Sequence, residues 1–394
     1  MSVSTSTRAR AVVRFFFQTP LDWLLLAVLI AFAIRFVPAW KNDSTLFVAA
    51  GIGIIPLAGW LGRATEQLSA RAGAGVGGFL NATFGNAAEL IIALVALSKG
   101  LTTVVKASLT GSIIGNLLLV LGASALAGGV RYPQQRFNKT AARVSATAMS
   151  MGAAALIIPT VFHVTANARP GGWSPVAEQK LSLAIAIVLF VTYAATLLFS
   201  LKTHKALFAG NADEDKTEPT SSLTSAVTLL AVATVLIAFL SEFLVGSIES
   251  ARHSLGLTQT FVGVIVVALV GNAAEHTTAI WAALKNKMDL SLSIALGSSL
   301  QVALFVTPVL VFASYAFGRP MDLEFSLPEI VAIAISIWIA QQISGDGESN
   351  WLEGVQLLSV YVVMAILFFY LPEAGHPSSV ALPRTNASAT QATP

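Results

Sequence analysis

The sequence predicts an all-α integral membrane protein of about eleven transmembrane helices, much of it organised as an inverted repeat. Three observations lead there. Only 11% of the 394 residues are charged and 55% are hydrophobic, whereas an ordinary soluble domain carries about 25% charged residues. The apolar residues fall in blocks of about 17–25, the length that crosses a bilayer core as a helix. One stretch of the chain also recurs at a fixed offset, its polar residues included. The net charge of +3, without a Lys/Arg run interleaved with aromatics, excludes nucleic acid as a partner. The lack of cysteine excludes disulfides, thiolate metal sites and cysteine nucleophiles.

Residues 1–20 (MSVSTSTRARAVVRFFFQTP) are basic, with a short apolar run and no small-residue cleavage site. They read as a retained, amphipathic, cytoplasmic lead-in. The expected spans are 21–38, 45–61, 74–98, 104–128, 143–163, 182–201, 222–246, 259–284, 290–315, 327–343 and 352–371. The longest polar break, HKALFAGNADEDKTEPTSS, parts the sixth span from the seventh and carries Asp213, Glu214, Asp215 and Glu218. This cluster reads as a solvated linker, with sensing of cytosolic cation as the alternative. The Ser/Pro/Ala/Thr-rich tail, 375–394, is expected to be disordered. Most of the 23 Lys and Arg, including the patch Arg131, Arg136, Lys139 and Arg143, fall on one side if the N-terminus is cytoplasmic. That assigns the C-terminus to the opposite side.

Shifted by 186 residues, Gly77–Leu118 aligns without a gap on Gly263–Leu304 with 13 of 42 positions identical. The matches concentrate in GNAAE, at 85–89 and 271–275, and in Gly111-Ser112 on Gly297-Ser298. Five expected helices separate the copies. Five is odd, so the second copy enters the membrane from the other side, as in secondary transporters that bind substrate near the midplane. Chance likeness of two apolar helices does not account for Asn and Glu recurring together.

Asn86 and Glu89 are three residues apart, as are Asn272 and Glu275, so each pair is expected on one helix face. Gly85 and Gly271 precede them, where a helix can loosen and expose carbonyls to a cavity. An ionised carboxylate at membrane depth costs several kcal/mol or more unless it is compensated. No Lys or Arg lies in the central turns of these helices, which leaves a bound cation or a bound proton. Two such carboxylates match one Ca²⁺ or two protons. Ca²⁺ takes about six to eight oxygens, and Glu89, Glu275, Asn86, Asn272, Ser112, Ser298, Gln301 and carbonyls near Gly85 and Gly271 could supply them. Without cysteine and with few histidines, softer metals fit less well. Hydrogen bonding between helices is the structural alternative. Glu66, after GIIPLAGWLGRAT, and Glu242, inside LIAFLSEFLVGSI, read as proton relays or gates, or else as interfacial carboxylates. His276, directly after Glu275, joins them as a titratable neighbour or a structural histidine.

The strings NATFGNAAELIIALVAL, GSIIGNLLLVLG and VGNAAEHTTAIWAALKNKMDLSLSIALGSSLQVALFV resemble the two signature repeats of the calcium/proton exchanger family, a branch of the calcium/cation antiporter superfamily. The resemblance covers Leu21 to Leu371. It implies one peripheral helix (21–40) and two inverted five-helix halves, 41–208 and 222–374, joined by the acidic cytoplasmic linker 209–221. It also implies exchange of Ca²⁺ for H⁺ by alternating access, with Glu89 and Glu275 as the exchanging carboxylates. Asn86, Asn272, Ser112, Ser298 and Gln301 are similar to the family's supporting ligands, and Glu66 and Glu242 to its accessory carboxylates. One departure is Gly115, where family members often carry Ser. No cofactor is expected, only Ca²⁺ and H⁺ as transported ions. The bilayer is the other partner, and a homo-oligomer is left open. A sodium-driven or broad divalent-cation antiporter is the alternative. A membrane metalloenzyme is disfavoured, since HExxH is lacking and His163, His204, His253 and His376 are scattered toward loops and termini.

Overall fold

The computed structural model describes residues 20–169, 171–172, 174–204 and 222–372. The acidic cluster at 213–218, residues 1–19 of the lead-in and the tail 375–394 lie outside the described residues. The described chain is helical apart from connections and one small strand pair. In order, α1 is Leu25–Phe36, α2 Asp43–Phe84, α3 Ala87–Ser98, α4 Thr102–Arg131, α5 Lys139–Asn167 and α6 Pro175–Thr203. From residue 222 on come α7 Leu223–Leu255, α8 Gln259–Gly271, α9 Ala273–Leu284, α10 Met288–Ala316, α11 Leu327–Ile343 and α12 Trp351–Tyr370. Among the described residues, seven helices are long and apolar enough to cross a membrane, or eight if α8 and α9 form one bent span.

Polar side chains cap the ends that apolar sequence leaves open. Asn42, Asn138, Ser174, Ser222 and Asn350 each accept a backbone N–H at the start of their helix, satisfying donors that have no intrahelical partner. Ser326 with Glu329, and Asn350 with Glu353, form full capping boxes.

Two expected boundaries differ from the structure. Spans 45–61 and the beginning of 74–98 are one continuous helix, because the polar stretch between them (GRATEQLSARAG) is rich in helix formers. That helix is not straight. Gly77 packs directly on the Ser69 carbonyl, whereas eight residues of straight helix would part them by about 12 Å. Its apolar, membrane-length part is Asp43–Ala72. The expected single span 259–284 is instead broken, α8 and α9 meeting at 61°.

The core forms around α2 and α7, which pack along each other. α1 lies on α2 and is pinned at its base by fully buried Asp22, which accepts from Trp60 Nε1 at 3.1 Å and pairs with Arg63 at 2.9 Å. Phe32 stacks edge-on to Phe243 of α7 at 5.2 Å between centroids. Helices α4 and α10 are the most enclosed apolar helices, 72% buried over their most apolar stretch. Close approach there depends on missing side chains: Gly111 of α4 lies on the Val264 carbonyl of α8, and Gly263 of α8 lies on Ala107 and the Val104 carbonyl. At one end, β1 (Gln135–Arg136) pairs antiparallel with β2 (Glu348–Ser349), joining the connection after α4 to the one before α12.

The Gly111–Val264 contact leaves no room for a methyl group. Gly111→Ala is expected to destabilise the fold by about 1–3 kcal/mol, the usual cost of overpacking. Thermal melting in detergent checks this: the variant melts several degrees below the parent, while Gly62→Ala, whose Cβ meets nothing within 4 Å, melts with it.

Candidate ion-binding site

The 186-residue offset seen in sequence is also an offset in structure. Helices α3 and α9 are both 12 residues long and begin at equivalent positions, and α4 and α10 begin at equivalent residues, Thr102 and Met288. Asn86 and Asn272 occupy the breaks that precede α3 and α9, with φ/ψ of −93°/17° and −99°/4°. This sparsely populated region of backbone space suits a single residue between two helical segments. The asparagines therefore do not share a helix face with the glutamates, as their spacing suggested. They sit at the break, while Glu89 and Glu275 lie in the first turn of α3 and α9, where the positive end of the helix dipole favours a carboxylate.

The motifs interlock across the two halves. Gly271 packs on Glu89, so that a Cβ there would lie 3.3 Å from Glu89 Cα and Cβ, and Gly85 faces Glu275, a Cβ falling 3.5 Å from Oε1. Both glycines serve close approach of backbone to the opposite carboxylate, and the break itself falls one residue later. Ser112 of α4 donates to Glu89 Oε1 and accepts from Asn272 Nδ2 at 2.8 Å. Its equivalent on α10, Ser298, lies beside Glu275 and donates to Asn86 Oδ1 at 3.1 Å. Gln301 Oε1 accepts from Asn86 Nδ2 at 2.5 Å. The nine residues expected at the site are thus brought together.

Asn116, which the sequence reading missed, belongs with them. It is buried, and its Nδ2 donates to Ser298 Oγ at 2.9 Å. Its signal was the spacing of four from Ser112, which places both on one side of α4. Glu66 and Glu242 lie elsewhere. Both are exposed, and Glu242, expected to be deeply embedded, pairs with Lys99 at 2.7 Å. An apolar flank reads alike whether a residue faces core or periphery. His276 is buried beside Glu275 in the chain, with Nε2 lacking a hydrogen-bond partner.

Other buried carboxylates of the described chain are compensated by protein. Asp22 has Arg63 and Trp60; Glu178 has His163 at 3.0 Å; Glu329 has the Ser326 hydroxyl and backbone N–H. Glu89 and Glu275 differ: each keeps one oxygen, Oε2, buried and without a partner. Among the described residues no three of His, Cys, Asp and Glu gather in one group. The site is therefore two carboxylates and neutral oxygens, which two protons or one divalent cation would neutralise.

The far ends of the motif helices are tied to the other half. Arg319 Nη1 donates to the Ser98 carbonyl that ends α3, and Arg131 Nη1 to the Leu284 carbonyl that ends α9, both at 3.4 Å. Gln135 adds a second tie to α9, donating to the Ala283 carbonyl at 2.9 Å. Cationic caps suit the negative ends of these helices.

A site of this kind, on paired broken helices, marks a class of membrane ion exchanger. The chain matches the model of the sodium/calcium exchanger protein family over residues 44–202 and 225–370, and it belongs to that family. Within it, the chain is 48% identical over 345 residues to a Ca(2+)/H(+) antiporter of Aphanothece halophytica, covering 84% of this chain and 91% of that one. It is 47% identical over 336 residues to the Ca(2+)/H(+) antiporter ChaA of Bacillus subtilis, covering 84% and 93%. These relatives place it in the calcium/proton exchanger branch. Of solved structures, native YfkE superposes with a TM-score of 0.77 at 42% identity, over 89% of this chain and all of that one. The H+/Ca2+ exchanger CAX shares the fold at 13% identity, with a TM-score of 0.67 over 93% and 92% of the two chains.

The two kinds of buried or exposed ion pair give a stability contrast. Asp22→Ala removes the buried carboxylate that Arg63 and Trp60 hold and is expected to cost about 1.5–3 kcal/mol, whereas Glu242→Gln, on an exposed pair, should cost no more than about 1 kcal/mol. Melting of both variants in detergent checks the placement of Glu242; a large loss for Glu242→Gln contradicts it.

Proposed function

We propose that this protein exchanges Ca²⁺ for H⁺ across a membrane by alternating access, with Glu89 and Glu275 holding either one Ca²⁺ or two protons. The observation that carries the reading is the pair of buried carboxylate oxygens without a partner, one on each motif helix. Asn86, Asn272, Ser112, Ser298, Gln301 and Asn116 supply or orient the neutral oxygens around them, and Gly85 and Gly271 let the halves close on each other. The naming of relatives at 46–48% identity as Ca(2+)/H(+) antiporters supports the choice of ions. It likewise supports a transporter rather than an enzyme, with Ca²⁺ and H⁺ as cargo.

In this reading the membrane is crossed eleven times: by α1, by Asp43–Ala72, by the end of α2 with α3, by α4 to α7, by α8 with α9, and by α10 to α12. The two halves after α1 enter from opposite sides. Support comes from the shared 186-residue offset of α3/α4 and α9/α10 and from the five crossings that separate them. The N-terminus is cytoplasmic and the C-terminus opposite, on the distribution of Lys and Arg. Glu242, through its pair with Lys99 at the end of α3, and Glu66 act as gates outside the site. His276 is a titratable neighbour of Glu275.

Glu89→Gln and Glu275→Gln each remove one charge matched to the ion. Both are expected to abolish pH-driven Ca²⁺ uptake in vesicles while the purified proteins melt normally. Retained exchange in either variant overturns the site. A sodium gradient that drives uptake as well as a pH gradient does, or equal uptake of several divalent ions, selects the sodium-driven or broad antiporter instead.

Because Ca²⁺ and protons occupy the same oxygens, Ca²⁺ binding releases protons. Lowering the pH therefore favours the proton-loaded form and weakens Ca²⁺, by about tenfold per pH unit for each proton released. Calorimetry between about pH 5 and 8 measures this directly, and a pH-independent affinity contradicts the shared site.

A further inference from the structure

The offset that lays Ser112 on Ser298 lays Gly115 on Gln301, and here the two halves of the site are chemically unequal. Gln301 fills its place. Its amide oxygen takes the Asn86 amide at 2.5 Å and lies 3.8 Å from the position of a Cβ on Gly85. Gly115 is also buried, three residues past Ser112 on the same side of α4. It opens a π-helical turn, Gly115–Val120, that packs on α9 and α10; such turns interrupt helices mostly at functional positions. Yet a Cβ built at Gly115 would meet no atom within 4 Å beyond its own helix backbone and chain neighbours. In a close-packed interior a buried Cβ position normally has contacts on every side. Open space therefore adjoins the helix face that carries Ser112, whose hydroxyl holds both Glu89 and Asn272. Glu89 Oε2 is the buried oxygen without a partner on that half. By the offset this is the place that Gln301 fills in the other half, where it reaches Asn86 and Gly85; left unfilled by protein on the side of α4 that carries Ser112, it is room for water.

We infer that Gly115 is a specificity-determining position: it leaves to water a place around the bound cation that, in the other half, Gln301 serves from the protein. This rests on the reading of Glu89 and Glu275 as the ion site. The consequence follows from ion chemistry. Ca²⁺ accepts six to eight oxygens flexibly and gains from ligands already fixed by protein, whereas Mg²⁺ dehydrates reluctantly and keeps several waters. A site that retains water beside its carboxylates discriminates less between the two than one lined fully by protein oxygens.

The test compares Gly115→Ala, Gly115→Ser and Gly115→Gln with the parent by calorimetry in detergent, titrating Ca²⁺ and Mg²⁺ at one fixed pH. Gly115→Ser, which brings a hydroxyl into the open space, is expected to tighten Ca²⁺ by about threefold to tenfold and to widen the Ca²⁺/Mg²⁺ ratio. Gly115→Gln, which mirrors Gln301, should do the same. Gly115→Ala brings no ligand and should match the parent within about twofold in both affinity and melting temperature. Equal ratios in all four proteins overturn the proposal. So does an alanine effect as large as that of serine, which assigns the position to packing, or a collapse of the melting temperature in the alanine variant, which shows the space to be filled. Glu89→Gln in the same experiment separates this from the site reading: unchanged Ca²⁺ affinity in that variant removes the ion site itself.

Discussion

Two carboxylates held in an apolar interior, each with one oxygen left unpaired by protein, are the constraint around which this molecule is arranged. Elsewhere in the described chain a buried carboxylate has a guanidinium, an imidazole or a capped backbone beside it, as at Asp22, Glu178 and Glu329. Glu89 has the Ser112 hydroxyl and the Asn272 amide, Glu275 the Ser298 hydroxyl, and each lies in the first turn of a helix with Oε2 left without a partner. That deficit is unfavourable for a resting core and suits a site that trades one cation for protons, because either occupant completes the balance of charge.

The helix breaks are how the fold brings the carboxylates together. Ending each helix at an asparagine lets the next segment start at the site, so that each glutamate lies in its first turn, at the positive end of the helix dipole. The same asparagines reach across to the serine of the opposite ligand helix, so each half completes the other. Glycines at 85 and 271 permit the contact, and glycines at 111 and 263 seat α4 on α8 without intervening side chains. The arginine caps at Ser98 and Leu284 hold the far ends, leaving a motif helix fixed at both termini by residues of the opposite half.

The likeness of the halves is strongest where charge must be matched and weakest around it. Glu, Asn and Ser recur at equivalent positions; Gln301 meets Gly115, Asn116 meets Val302, and His276 meets Leu90. The carboxylates and their hydroxyl partners are common to both sides, whereas the side chains around them differ between the two.

By itself the sequence determined the all-helical membrane class, the nine residues that converge and their pairing by offset, because Asn and Glu are costly at membrane depth and recur together in both copies. Helix existence was also legible, since long apolar runs declare themselves. Only the tertiary structure decided the rest. The merging of Gly62–Gly73 into α2 and the 61° break at Asn272 depend on packing between helices, which helix propensity does not encode. Asn116 became visible once Ser298, 182 residues away, was brought within 2.9 Å. Glu242 sits in an apolar run yet is exposed and paired with Lys99 of another helix, because hydropathy along one helix does not say which face its neighbours cover.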